Sequence, residues 1–224
     1  EAVKKSPQIG EDLLSVVIVA HKDTKEGIIK SRRLFTSLNK EAQPVGKEAI
    51  IALDEDDLRA KVTRYLVEET SFLDGEFISF STGPLRDHKS ITTIGNIFDC
   101  VSKLYSYFDS NIEPNEKANF DDFLSFCIRF YENTFLQCKE IDSYIKFFKS
   151  NSNNSPIYNF RNKDTGGHLL FRPIGWELYV DAYIHALDNG VNGSEAVNII
   201  INKDLKLEGD ILNNIIWSSK SKRI

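Results

Sequence analysis

The stretch that decides the fold runs from residue 31 to residue 57 and reads SRRLFTSLNKEAQPVGKEAIIALDEDD. In its first half and just before it, apolar residues recur at helical spacing on one stripe: Ile28, Ile29, Leu34, Phe35 and Leu38. Proline disfavours helix in the residue before it, and Pro44 therefore predicts that this helix ends near Asn39. The pattern predicts an amphipathic helix that buries the apolar stripe and turns its cations elsewhere.

The second half of the stretch ends in four acidic residues that open another helix. Asp54 has the side chain of an N-cap, and residues 55–57 would fill the first turn, where carboxylates favour the positive end of the helix dipole. A cluster of carboxylates also suits a metal ion, but capping accounts for it without one. We therefore expect Asp54 and Asp57 to be structural residues and predict no metal site.

Outward from this stretch, hydrophobic spacing predicts further helices at residues 92–107, 176–187, 194–203 and 209–217, and one long helix or a helical pair at residues 120–148. A β-branched apolar run at residues 13–20 predicts a buried strand. The polar segment that ends at Pro156 marks the best internal boundary. The fold class predicted from these patterns is α/β, mostly helical.

Composition excludes several classes of protein. No apolar run approaches the roughly 18 residues of a membrane helix, and the first residues do not form a signal peptide, so we expect a cytoplasmic protein. The three cysteines have no C-x-x-C spacing and no histidine at ligand spacing, which predicts reduced, packed thiols. The chain contains no methionine, and we expect it to be part of a longer polypeptide.

No common catalytic motif is present. The G-x-S-x-G elbow, the G-x-G-x-x-G fingerprint and the P-loop are absent, and the four histidines are scattered. Gly166 and Gly167 precede His168 in a loop, where they serve either a tight turn or a close approach of backbone to phosphate. The residues therefore predict no reaction and no cofactor.

Charge is the feature of the stretch that suggests a binding role. The whole chain carries a net charge of −5, yet residues 21–47 hold seven cations against three anions. Adjacent Arg32 and Arg33, with Lys40 and Lys47, suit phosphate binding. The same cations could pair with the acidic run at residues 54–57 and form a salt-bridged joint between helices, and the sequence leaves both interpretations open.

The order of these elements resembles the signature region of DGQHR-domain proteins, the family that contains the DNA sulfur-modification protein DndB. The resemblance rests on RRLF, LNK, a Pro-Val-x-Lys turn, IALDEDD and a following Thr63-Arg64 with Leu66-Val67-Glu68, with echoes at residues 168–175 that include Arg172. The Asp-Gly-Gln-His-Arg motif that names the family is not in this chain.

The resemblance implies a protein of DNA-modification and phage-defence gene clusters. It implies that residues 1–110 are the C-terminal part of a ParB-like DGQHR domain and that residues 111–224 are a helical region with a loop at 150–167. The expected role is regulatory or accessory, by binding DNA. The alternatives are a nucleotide-binding or hydrolysing ParB-like enzyme whose key motif lies elsewhere, and a subunit that docks onto proteins of the cluster. The residues proposed to meet nucleic acid are Arg32, Arg33, Asn39, Lys40, Lys47 and Arg64; Asp54, Asp57 and Arg172 are proposed as structural.

Overall fold

The computed structural model describes residues 20, 22–42, 46–73, 75–81, 89–113, 116–150 and 160–222, and the backbone alone for residues 39–42. The strand expected at residues 13–20 lies outside these residues, apart from Ala20. The helices, in chain order, are α1 (Lys25–Ala42), α2 (Lys47–Leu53), α3 (Leu58–Glu69), α4 (Ile94–Ser110), α5 (Phe120–Gln137), α6 (Lys139–Ser150), α7 (Pro173–Asp188) and α8 (Gly193–Ile201).

A short sheet accompanies these helices. Strand β1 (Ile78–Ser79) pairs in parallel with β2 (Thr92–Thr93), with Ile78 opposite Thr92. Thr93 then caps α4, since its hydroxyl accepts a hydrogen bond from the backbone N–H of Asn96 at 3.1 Å. The prediction of a mostly helical α/β fold is confirmed. In the described ranges, no helix is both apolar and long enough to cross a bilayer.

The core is built around α5, whose aromatic residues pack against α4, α7 and α8. Phe123, Phe130 and Tyr131 are each at most 1% exposed. One continuous apolar cluster runs from Val62 to Trp217 and so contains residues on both sides of position 110. The division of the chain at residues 110 and 111 stays a prediction.

The end of the chain corrects one expectation. Residues 209–217 were expected to form a helix, but they form successive turns instead. Asn214 has a φ of 62°, and its N–H bonds to the carbonyl of Trp217 at 2.7 Å. A non-glycine residue in the left-handed region interrupts the helical ladder, and the turns bring Trp217 back onto the core with 3% exposure.

Helix α1 is oriented differently from the expectation. Leu34, Phe35 and Leu38, expected to be buried, are 38%, 53% and 66% exposed. The helix packs instead through Thr36, which is 6% exposed and donates to the carbonyl of Leu53 at 3.4 Å. Its neighbour one turn earlier is Arg32, so α1 meets the rest of the protein through a polar side.

Candidate nucleic-acid interface

A single carboxylate joins α1 to α3. Glu55 lies in the short connection between α2 and α3, and its side chain is only 9% exposed. Its Oε1 accepts from Arg32 Nη1 at 3.0 Å, and its Oε2 lies 3.3 Å from Arg64 Nη2. Two guanidinium groups thus share one buried carboxylate, which leaves the group with one excess positive charge.

Arg64 is committed to the structure by further bonds. Its Nη1 donates to the carbonyls of Ile51 at 2.6 Å and Asp54 at 3.1 Å, and its Nη2 donates to Asp54 at 3.1 Å. These carbonyls lie at the C-terminal end of α2, where helical backbone leaves acceptors without partners. Burial lowers the pKa of the Arg64 guanidinium, and the Glu55 carboxylate opposes this effect.

The acidic residues 54–57 serve two helix ends, and the N-cap of α3 is not the Asp54 expected from the sequence. Asp54 ends α2, and its Oδ1 accepts from the backbone N–H groups of Asp56 and Asp57 at 3.0 and 3.1 Å. The N-cap of α3 is Asp57, whose Oδ1 accepts from the N–H of Arg59 at 2.8 Å. Asp54 was wrong as the N-cap because residues 47–53 form a helix of their own that ends there.

Asp57 also forms an ion pair along α3. Arg59 donates to it through Nε at 3.0 Å and Nη2 at 2.6 Å. Burial raises the pKa of the Asp57 carboxyl, but the hydrogen bonds and the charge of Arg59 outweigh burial and lower that pKa overall. The carboxylate is therefore favoured in the folded state.

Two further cations from the sequence form more exposed pairs. Arg33 Nη2 lies 2.9 Å from Asp56 Oδ1, with side chains 53% and 73% exposed. Lys47 Nζ lies 2.7 Å from both oxygens of Asp99 and ties α2 to α4. Pairs at this exposure contribute roughly 1 kcal/mol or less, so a phosphate can replace the carboxylate at little cost.

The remaining proposed residues lie elsewhere or outside the description. Asn39 and Lys40 belong to the last turns of α1, and their side chains are outside the described residues. Arg172 precedes α7 and donates to the carbonyl of Gly166 at 2.8 and 3.1 Å. These bonds tie Arg172 to the loop at residues 161–167, and its structural role stays a prediction.

Of the proposed cations, the structure brings Arg32, Arg33 and Arg64 together around a cleft between α1 and α3, with a cavity of about 510 Å³. Five cations and three carboxylates line it, along with apolar and aromatic side chains: Lys25, Ile28, Ile29, Arg32, Arg33, Glu55, Lys61, Arg64, Tyr65, Glu68, Glu69 and Phe120. We call this the α1–α3 cleft. Its lining carries a net charge of +2 in a chain whose total is −5.

Two lysines of the cleft differ from its arginines. Among the described residues, neither Lys25 nor Lys61 has an acidic partner within 4.0 Å. Lys61 Nζ lies 4.8 Å from the centre of the Phe120 ring, which packs edge-on against Tyr65. Sequence reasoning did not single out Lys61, because only the folded chain places α3 across a cleft from residues 25–33.

Comparisons with known proteins identify the family. The sequence profile of the DndB family, described as DNA-sulfur modification-associated, matches residues 1–221. No curated protein and no solved structure matches the chain. The match covers essentially the whole chain and agrees with the resemblance carried by residues 31–68. The chain therefore belongs to the DndB family of DNA-sulfur modification-associated proteins.

Proposed function

We propose that this protein is a cytoplasmic, DNA-associated regulatory or accessory component of a DNA sulfur-modification system. Membership of the DndB family supports the link to such a system. The observation that carries the DNA contact is the α1–α3 cleft, where Lys25 and Lys61 have no carboxylate partner among the described residues. Cations without partners can meet phosphate without first giving up an ion pair.

We expect the cations of the cleft to have different roles. Lys25, Lys61 and Arg33 are the phosphate-binding candidates, since Arg33 gives up only an exposed pair. Arg32 and Arg64 hold Glu55 and position the helices that carry the others. The overall negative charge confines binding to this patch, and affinity should fall steeply with salt.

Fluorescence anisotropy with a labelled duplex, at low and near-physiological salt, tests this proposal. The Lys25→Ala/Lys61→Ala variant should bind more weakly and lower the slope of log affinity against log salt by about 2. The matched control is Lys149→Ala/Lys163→Ala, which removes the same charge at exposed positions outside the cleft. Equal losses in both variants, or no duplex binding by the unmodified chain, would overturn the proposal.

A second candidate function is docking onto another protein of the modification system. The exposed apolar side of α1 favours it, since Leu38 is 66% and Leu34 38% exposed. Copurification with the other proteins of the system tests it, using Leu38→Ser against Leu136→Ser, a control at a residue 75% exposed on α5. Docking through α1 predicts loss of the partner in the first variant only.

A further inference from the structure

Three side chains with different ligand atoms meet where α5 gives way to α6. Cys138 is the residue between these helices, Glu140 lies in the first turn of α6, and His168 begins the 3₁₀ turn Leu169–Phe171. The Sγ of Cys138 and the Nε2 of His168 each lie 3.8 Å from Glu140 Oε2. All three ligand atoms lie within 4.8 Å of one another.

These separations suit a single ion between the three atoms. Zinc bonds to sulfur at about 2.3 Å and to nitrogen or oxygen at about 2.0–2.2 Å, which places one sulfur and two N or O ligand atoms roughly 3.3–3.6 Å apart in a tetrahedral site. The two contacts to Glu140, each 3.8 Å, are only a few tenths of an ångström longer, so a small movement of Glu140 closes the site. Glu140 is 41% exposed and free to adjust, whereas Cys138 and His168 are 1% and 5% exposed and held by packing.

The packing around His168 fixes its position. Gly167, with a φ of 79°, leaves room for the carbonyl of Phe160, which accepts the N–H of His168 at 2.8 Å. A Cβ at position 167 would lie 2.0 Å from that carbonyl oxygen. Leu169 N–H bonds to Leu205, and the imidazole packs edge-on against Phe171 at 5.9 Å. The glycine therefore serves a turn that presents the ring to Cys138 and Glu140.

An adjoining cavity of about 380 Å³ gives the cluster access to solvent. Glu140 and His168 line it together with Asp204 and Lys206. Three protein ligands beside an open cavity leave room for water in a fourth position, as in zinc sites that keep one position free. Asp204 offers a further carboxylate on the same cavity.

Without an ion, the Cys138 thiol donates a hydrogen bond to Glu140, but His168 does not. The Nδ1 of His168 accepts from Leu170 N–H at 3.3 Å, which leaves the proton of the neutral ring on Nε2, facing Glu140 across 3.8 Å. That gap is too long for a hydrogen bond. Coordination through Nε2 shifts the proton to Nδ1, which then faces the Leu170 N–H instead of accepting from it, and the free energy of ion binding has to exceed this cost.

We propose that Cys138, Glu140 and His168 bind a zinc-type divalent cation. A thiolate, an imidazole and a carboxylate suit zinc or cobalt, whereas magnesium and calcium prefer oxygen ligands throughout. The two outer ligands are 30 positions apart in the chain, so the sequence spacing that predicted no metal did not bring them together. The site is independent of the α1–α3 cleft and of the proposed DNA contact.

Cobalt titration of the full chain, with any histidine tag removed, tests the site. Co²⁺ bound to a thiolate gives a sulfur-to-metal charge-transfer band, and we expect one ion per chain with that band. Cys138→Ser should abolish the band, and Glu140→Gln should weaken binding roughly tenfold or more. Zn²⁺ should displace Co²⁺ and remove the band.

Matched controls separate this site from others. Glu132→Gln and His185→Asn alter exposed residues outside the cluster and should leave cobalt binding unchanged. Glu140 is half-exposed, so Glu140→Gln is expected to fold and keeps the test valid if Cys138→Ser does not. The proposal is overturned by binding without the charge-transfer band, by a band that persists in Cys138→Ser, or by no stoichiometric binding.

Discussion

Helix α5 packs through rings, whereas helix α1 is held through charges. Phe130 lies 4.7 Å from Tyr183 and 5.3 Å from Tyr179, centre to centre, and is 1% exposed. Arg32 of α1, in contrast, reaches α3 through the carboxylate of Glu55. The core stabilises the fold by removing apolar surface from water. The joint formed by Arg32, Glu55 and Arg64 stabilises the fold by pairing charges, and a charged group can exchange its partner for another ion.

The difference separates two kinds of residue. A buried ring has one role, and its loss changes stability without regard to salt. A cation at the joint has two available partners, the protein carboxylate and an external anion, so stability and binding can be altered separately. Substitutions in the two regions should therefore differ in size, in salt dependence and in their effect on DNA binding.

The largest effect is expected in the core. Phe130→Ala should lower the free energy of unfolding by about 3–5 kcal/mol, since it removes a fully buried ring and leaves a cavity. Urea unfolding at low salt and at about 1 M salt should give similar losses. Phe80→Ala, at a ring 65% exposed, is the control and should change stability by about 0.5 kcal/mol or less. If the loss of unfolding free energy in Phe130→Ala shrank markedly at high salt, the core would not differ from the charged contacts of α1 as described.

The next effect is expected at Glu55. Glu55→Ala leaves Arg32 and Arg64 side by side without their shared carboxylate and should cost about 3 kcal/mol. The value lies at the low end for a buried pair because Arg32 is 37% exposed. Glu68→Ala removes an exposed carboxylate of the same cleft and should have little effect on urea unfolding. Equal losses at positions 55 and 68 would mean that the joint is not held by charge.

Sequence alone predicted the parts of the fold that depend on local pattern. The aromatic stripe of α5 is buried as expected, and Phe123, Cys127 and Tyr131 share the face that its spacing indicates. The pairing of Arg32 and Arg33 with the acidic run was one of the two interpretations of residues 31–57, and the structure contains those ion pairs. Local spacing was sufficient there because both partners lie in one short stretch.

The helix caps, the orientation of α1 and the residues of the two sites could not be predicted from local pattern, because they depend on tertiary contacts or on which of several similar residues is used. Four consecutive acidic residues offer several caps, and propensity cannot tell that Asp57 is the cap while Asp54 ends the preceding helix. The orientation of α1 follows from Thr36 and Arg32 meeting α2 and Glu55, against its own apolar stripe. Only folding places Lys61 at the cleft, or His168 beside Cys138.

A smaller effect is expected at the cap of α3. Asp57→Ala should cost about 1 kcal/mol near neutral pH, because it removes the acceptor for Arg59 N–H and the pair with its guanidinium. The folded-state pKa of Asp57 is below its usual value, so its stabilisation is complete above the unfolded pKa of about 4 and is lost as pH falls through the lower folded pKa.

Thermal unfolding of Asp57→Asn from neutral to acid pH measures this dependence. Asparagine keeps a capping oxygen but cannot carry charge, so its deficit relative to the unsubstituted chain should shrink as the pH drops below about 4. Asp56→Asn, at a carboxylate 73% exposed, is the control and should show a weaker dependence. If the stability deficit of Asp57→Asn grew as the pH fell, the folded-state pKa of Asp57 could not lie below its unfolded value.

The smallest effect on stability, and the sharpest test of the contrast, is expected at Arg33. Arg33→Ala breaks a pair with Asp56 in which both side chains are more than half exposed, so unfolding should change by about 0.5 kcal/mol or less. If Arg33 meets a phosphate, the same variant should weaken duplex binding and lower the salt slope by about 1. Arg129→Ala, at an exposed arginine of α5, should change neither quantity. Arg32→Ala should mainly lower the free energy of unfolding, whereas Arg33→Ala should mainly weaken DNA binding. The reason is that the carboxylate partner of Arg32 is buried, while that of Arg33 is in solvent.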